Sequence, residues 1–177
     1  MGNLFSSAAA SLISAPVAYY IRSQRDALAD SGFALTSSER QALGNYFGRH
    51  DLERVKVVEG DPLPLAAPFF NRAASLCGMD VPSPSQIAGI TFDHVIATRE
   101  PMPTAMLFHE LVHVVQFRIL GVNQFAKLYT RGLLRNGSYD AIPLERCAYE
   151  LEARFEIGLE PFQVEDQIML WLDRGLF

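Results

Sequence analysis

The longest apolar run in the chain, residues 104–120 (TAMLFHELVHVVQFRIL), contains no Gly or Pro and is hydrophobic on nearly every face. That pattern predicts a central, buried helix. Thr104 is placed to cap its start and Gly121 to lie just past its end. Residues 122–134 predict a second helix closing near Asn136-Gly137. A third is expected from about Pro143, a residue suited to the first helical position, to Gly158, and a fourth after Pro161. Upstream the pattern changes. Residues 35–47 (LTSSERQALGNYF) predict a helix capped by Thr36 or Ser37, with Glu39 in place for a capping box. Residues 54–59 (RVKVVE) alternate charge with valine and predict a strand. Two β-branched runs, AGITF and HVIATR, flank Asp93 and predict a tight hairpin or a bulged strand. Residues 61–68, with three prolines, and 81–85 (VPSPS) read as connectors, with a short helix expected at 69–76. The sum is an α+β chain with a small N-terminal sheet, a central helix and a helical C-terminal half. It reads as a single domain over 31–177, preceded by an apolar N-terminal helix or tail over 1–30.

That N-terminal stretch carries no charged side chain before Arg22. It is rich in Ser and Ala and interrupted by Pro16, so it falls short of a spanning helix. Neither a basic leader nor a small-x-small cleavage site is plain, so there is no clear signal peptide, and cytoplasmic residence or export as an effector both remain open. The start MGNLFS fits the loose N-myristoylation pattern at Gly2. The expectation is a segment that packs on the body or contacts a membrane or partner. Fifteen Lys and Arg against 20 Asp and Glu give a net charge of −5 and a pI near 5.3. That balance argues against nucleic acid as a partner. Cys77 and Cys147 are too few for a disulfide framework and are expected as buried thiols, a single bridge being undecidable from sequence. Lys127, Arg131 and Arg135 form a basic stripe, read as a solvated face.

The chemistry concentrates in the central helix. Of four histidines (His50, His94, His109 and His113), two stand in His109-Glu110-Leu111-Val112-His113, an HExxH motif. Residues four apart sit about 40° apart on one helix face, so both imidazoles can reach a single Zn²⁺. Glu110, on the adjacent face, can act as general base toward a water whose pKa zinc lowers to about 7. Two partnered core histidines are the plain alternative, but a glutamate among Phe108, Leu111 and Val112 would cost several kcal/mol to bury uncompensated. No histidine follows the motif, and positions 116 and 119 are Gln and Ile, so the third ligand is expected to be a carboxylate from a later helix. Among Glu145, Glu150, Glu152 and Glu156, helical geometry puts Glu145, Glu152 and Glu156 beside the apolar face and turns Glu150 away. Glu145, in the first turn, is the first choice and Glu152 the second.

FHELVHVVQ, followed 32 residues after His113 by P-L-E-x-x-A (Pro143, Leu144, Glu145, Ala148), resembles gluzincin-type zinc metallopeptidases. More narrowly it is similar to a family of peptidase-like domains of unknown function found beside bacterial extracellular contractile injection systems, over roughly residues 88–155. The resemblance implies a zincin-like fold, metal ligands at His109, His113 and Glu145, and a base at Glu110. Many gluzincins place an Asp four residues after the ligand Glu to orient an imidazole; here that position is Tyr149, which supplies no charge. The resemblance also implies an extended substrate along a sheet edge, with residues 94–99 as that edge. An oxyanion stabiliser is needed as well: Tyr139, before Glu145, is a candidate, with Tyr149 and His94 as rivals. The leading expectation is therefore a zinc-dependent hydrolase cleaving peptide or protein substrates. The alternatives are a catalytically idle zinc-binding module, such as a secreted effector or cargo protein, and a metal-free chain with structural histidines.

Overall fold

The computed structural model describes residues 2–60 and 88–177. The expected connectors at 61–68 and 81–85, the short helix at 69–76 and Cys77 lie outside these. Helix α1 (Gly2–Leu28) runs through Pro16, and its later part seats Ala18 and Ile21 in the core. The predicted capping box is formed: the Thr36 hydroxyl accepts from the Glu39 N–H at 3.2 Å, and the Glu39 carboxylate accepts from the Thr36 N–H at 2.7 Å. The helix it starts, α2 (Ser37–Leu43), stops short of the expected Phe47. The chain turns there so that Tyr46 and Phe47 can pack edge-on against Phe108. A six-residue helix, α3 (Arg49–Arg54), follows; no sequence pattern pointed to it.

Strands β1 (Lys56–Glu59), β2 (Gly89–Phe92) and β3 (Val95–Thr98) form one sheet in the order β1-β3-β2. Strands β2 and β3 make the expected hairpin, with Phe92 opposite Val95 and Asp93 at φ 61° in the turn. Strand β1 lies parallel to β3 on its other side. This corrects the expectation that residues 94–99 form an edge: β3 is the central strand, and all four of its residues are buried. A strand paired on both sides and covered on both faces has no free edge to offer a peptide. Among the described residues the strand paired on one side only is β2, because β1 also bridges to Phe33.

Helix α4 (Thr104–Asn136) bends at Gly121, whose φ of 72° and ψ of 155° fit no helix. The break falls where the sequence ended its first helix, and the second arm closes on Gly137 at φ 74°, the left-handed conformation glycine favours. Thr104 does not cap: Pro103 is the last non-helical residue, and Thr104 is already within the helix. In the first arm every residue from Leu107 to Phe117 is buried, as its all-round hydrophobicity required. Helix α5 (Pro143–Glu156) begins with proline as expected, and α6 (Val164–Asp173) follows. Architecture and sequence agree on an α+β chain with a small sheet and a helical C-terminal half.

Two clusters hold this together. Phe108 stacks on Phe155 of α5 with ring centroids 4.6 Å apart and meets Phe162 edge-on, fixing the first arm of α4 against α5. On the other side, Ala18 and Ile21 of α1 share a cluster with Phe117, Phe125, Leu133 and Leu144. Arg118 ties three helices, donating at 2.8 Å to Asp51 of α3 and to Glu165 of α6. Cys147 is a free, buried thiol, pushed up to about 12 by burial.

Candidate metal centre

The first arm of α4 projects His109 and His113 toward α5, where Glu145 stands in the first turn. The three side chains converge. His113 Nε2 lies 3.2 Å from His109 Nε2 and 3.2 Å from Glu145 Oε2, and His109 Nε2 lies 3.4 Å from the same oxygen. Their ligand atoms form a buried group able to hold a metal ion. With bonds of about 2.1 Å, a tetrahedral ion spaces neighbouring ligand atoms by about 3.4 Å. The observed separations fit that spacing, and two nitrogens with one oxygen are a donor set zinc accepts.

The opposite ring nitrogens are also engaged. His109 Nδ1 is 3.0 Å from Glu152 Oε2. A carboxylate at this position accepts, so Nδ1 carries a proton, and a bound ion would take the lone pair of Nε2. Glu152 therefore partners the outer nitrogen of His109 and lies outside the His109–His113–Glu145 group. It supplies the charge that Tyr149 lacks, one helical turn further along α5. His113 Nδ1 is 2.8 Å from Gln116 Oε1, and Gln116 Nε2 donates to the Leu144 carbonyl at 3.0 Å. Glu150 and Glu156 are exposed.

Charge is balanced inside this cluster. Burial alone would raise the Glu145 carboxyl, but the two imidazoles outweigh it and hold the group well below the ordinary carboxylate range. Burial would likewise lower His109, yet its hydrogen bonds to Glu145 and Glu152 prevail and raise it. Glu145 is thus ionised at neutral pH, and the surroundings favour positive charge beside it.

Glu110 sits next to the group and only 6% exposed. Its Oε2 accepts from the Thr91 hydroxyl of β2 at 2.6 Å. A Cβ at Gly89 would come within 3.1 Å of its Oε1 and 3.0 Å of Met106 Cε, so glycine there leaves that oxygen its room. Tyr139 is half-buried, and its phenol is raised well above its ordinary value, chiefly by burial. Tyr129, which no sequence motif singles out, packs edge-on against Tyr139, and its phenol is likewise raised, chiefly by burial. Tyr149 is 43% exposed, tilts over His109 at 4.6 Å between ring centroids, and is raised to about 12 by burial. All three phenols keep their protons at neutral pH. His94 is occupied at the hairpin turn with Asp93 and Arg54.

The sequence pattern brought together His109, His113, Glu110, Glu145 and Tyr139. It missed Thr91, Gln116, Tyr129 and the contact of Glu152 with His109. Only Gln116 had a local signal: three residues after His113, it lies on the same helix face. No protein-family model, curated protein or solved structure matches this chain.

Proposed function

We propose that the chain is a zinc-dependent hydrolase with a zincin-like site, cleaving peptide bonds. The observation that carries this reading is the convergence of His109 Nε2, His113 Nε2 and Glu145 Oε2 at 3.2–3.4 Å, with Glu110 beside them on the same helix. A zinc ion bound by these three would acidify a water and polarise a substrate carbonyl. Glu110 takes the proton of the attacking water on its carboxylate and passes it to the leaving amine. The Thr91 hydroxyl holds Oε2, which leaves Oε1 for the transfer. The charge developing on the carbonyl oxygen is met by a phenol O–H, from Tyr139 or from the more exposed Tyr149. An extended peptide would add to β2, which lies against the metal helix through the Thr91–Glu110 bonds. The resemblance of FHELVHVVQ and P-L-E-x-x-A to gluzincin-type metallopeptidases is what favours a peptide or protein substrate in this reading.

The same site supports a second reading, a zinc-binding module or secreted cargo protein without catalysis. What favours it is burial: Glu145 is 2% exposed, His113 5%, and His109 and Glu110 6% each. One experiment separates the two. Glu110→Gln should retain stoichiometric zinc and lose at least about a hundredfold in cleavage of a denatured protein substrate. Cleavage unchanged in the variant would refute the mechanism, and a wild type that holds zinc without cleaving any peptide would leave the idle module.

A further inference from the structure

Gln116 is completely buried on α4, and both ends of its amide are committed. Its Nε2 lies 3.0 Å from the Leu144 carbonyl oxygen. That oxygen can only accept, so it fixes which end of the amide faces it. The other end, Oε1, then faces His113 Nδ1 at 2.8 Å. An amide oxygen also can only accept, so Nδ1 must carry the hydrogen. The Nε2 of a neutral His113 is left with its lone pair, aimed at the point shared with His109 and Glu145, each 3.2 Å away. Leu144 immediately precedes Glu145, so the chain of bonds from His113 ends one residue from the ligand on the other helix.

We propose that Gln116 is a positioning residue that sets the His113 tautomer and holds the first turn of α5 in register with the metal-binding turn of α4. The proposal rests on the metal reading above. Its logic is that of a one-way relay. A backbone carbonyl, which cannot change its hydrogen-bonding sense, dictates the amide, and the amide dictates the imidazole. Glu152 performs the same service for His109 with a formal charge, so one ligand is supported by a carboxylate and the other by a neutral amide. Substituting Gln116 would free the His113 ring to change tautomer and would leave the Leu144 carbonyl without this donor.

The test uses the full-length, zinc-loaded chain and two readouts besides activity. In long-range ¹H–¹⁵N spectra of the wild type, His113 should coordinate through Nε2 and show an exchange-protected proton on Nδ1. In Gln116→Leu the zinc dissociation constant, measured by competition with a chelator, should rise about 10–100-fold, as for other groups that orient a ligand. The Nδ1 proton should lose its protection in the same variant. A wild-type His113 protonated on Nε2 would overturn the proposal, and that spectrum decides whether or not Gln116→Leu folds. An affinity within twofold of wild type together with an unchanged Nδ1 signal would overturn it as well, with the metal reading left standing. A wild type that binds no zinc would overturn both.

Discussion

In the proposed zinc site, replacing Glu152 with glutamine probes how much of the metal affinity would come from charge behind a ligand rather than from the ligands themselves. Glu152 Oε2 sits 3.0 Å from His109 Nδ1, and the side chain is 21% exposed. Glutamine keeps the length and an accepting oxygen but removes the charge. A hydrogen bond to a charged group contributes about 1.5–3 kcal/mol and a neutral one about 0.5–1.5. The difference is about 1–1.5 kcal/mol, or roughly five- to tenfold in affinity at 1.4 kcal/mol per factor of ten. Glu152→Leu removes the acceptor altogether, but water can reach a partly exposed position, so the loss should stay within about a hundredfold. Competition titration against a chelator of known affinity, at fixed pH, measures both variants. Glu152→Gln binding within twofold of wild type would show that Glu152 contributes nothing to the centre through His109, and the account of its role would fail.

In the proposed zinc site the ligands are assembled only when α4 and α5 are docked, so zinc removal should destabilise the fold: at free zinc about 1,000 times the dissociation constant, the ion would add about 4 kcal/mol. For a chain of this size that corresponds to a Tm about 8–16 °C lower after chelation, measured by calorimetry, and an unchanged Tm would contradict a metal bridge between these helices. Phe108→Ala, which empties the position stacked on Phe155, should cost about 3–5 kcal/mol in urea unfolding, and a loss under about 1 kcal/mol would deny Phe108 its central place. Gly121→Ala forces a side chain into φ 72°, ψ 155° and should cost about 1–3 kcal/mol; a variant as stable as wild type would mean that α4 does not need its break.

The elements legible in the sequence are those with local signals. Thr36 and Glu39 announce a capping box, Gly121 and Gly137 mark the break and the end of α4, and Pro143 opens α5. Each works within a few residues through the backbone's own donors, acceptors and dihedral limits. Helix α3 carries no such signal. Its six residues are too few to show a hydrophobic period, and its Asp51 is engaged with Arg118, 67 residues away. The central place of β3 is hidden for a similar reason, since the β-branched runs that predict strands do not say which neighbour each strand will take.

The site divides along the same line. Helical periodicity is a local property, and the order of residues 109–113 is enough to set two imidazoles and a glutamate on one helix at the spacing a metal needs. The same periodicity sets aside Glu150 as a candidate carboxylate but leaves Glu145, Glu152 and Glu156; of these Glu145 and Glu152 lie on nearly the same face of α5, about 20° apart, but about 10 Å apart along its axis. The choice between them comes from docking. The height at which α5 meets α4, set by packing such as Phe108 on Phe155, puts Glu145 at the Nε2 side of His109 and Glu152 at its Nδ1 side. Periodicity fixes the direction in which a side chain leaves its helix, whereas the meeting of two helices depends on long-range packing that no single segment encodes.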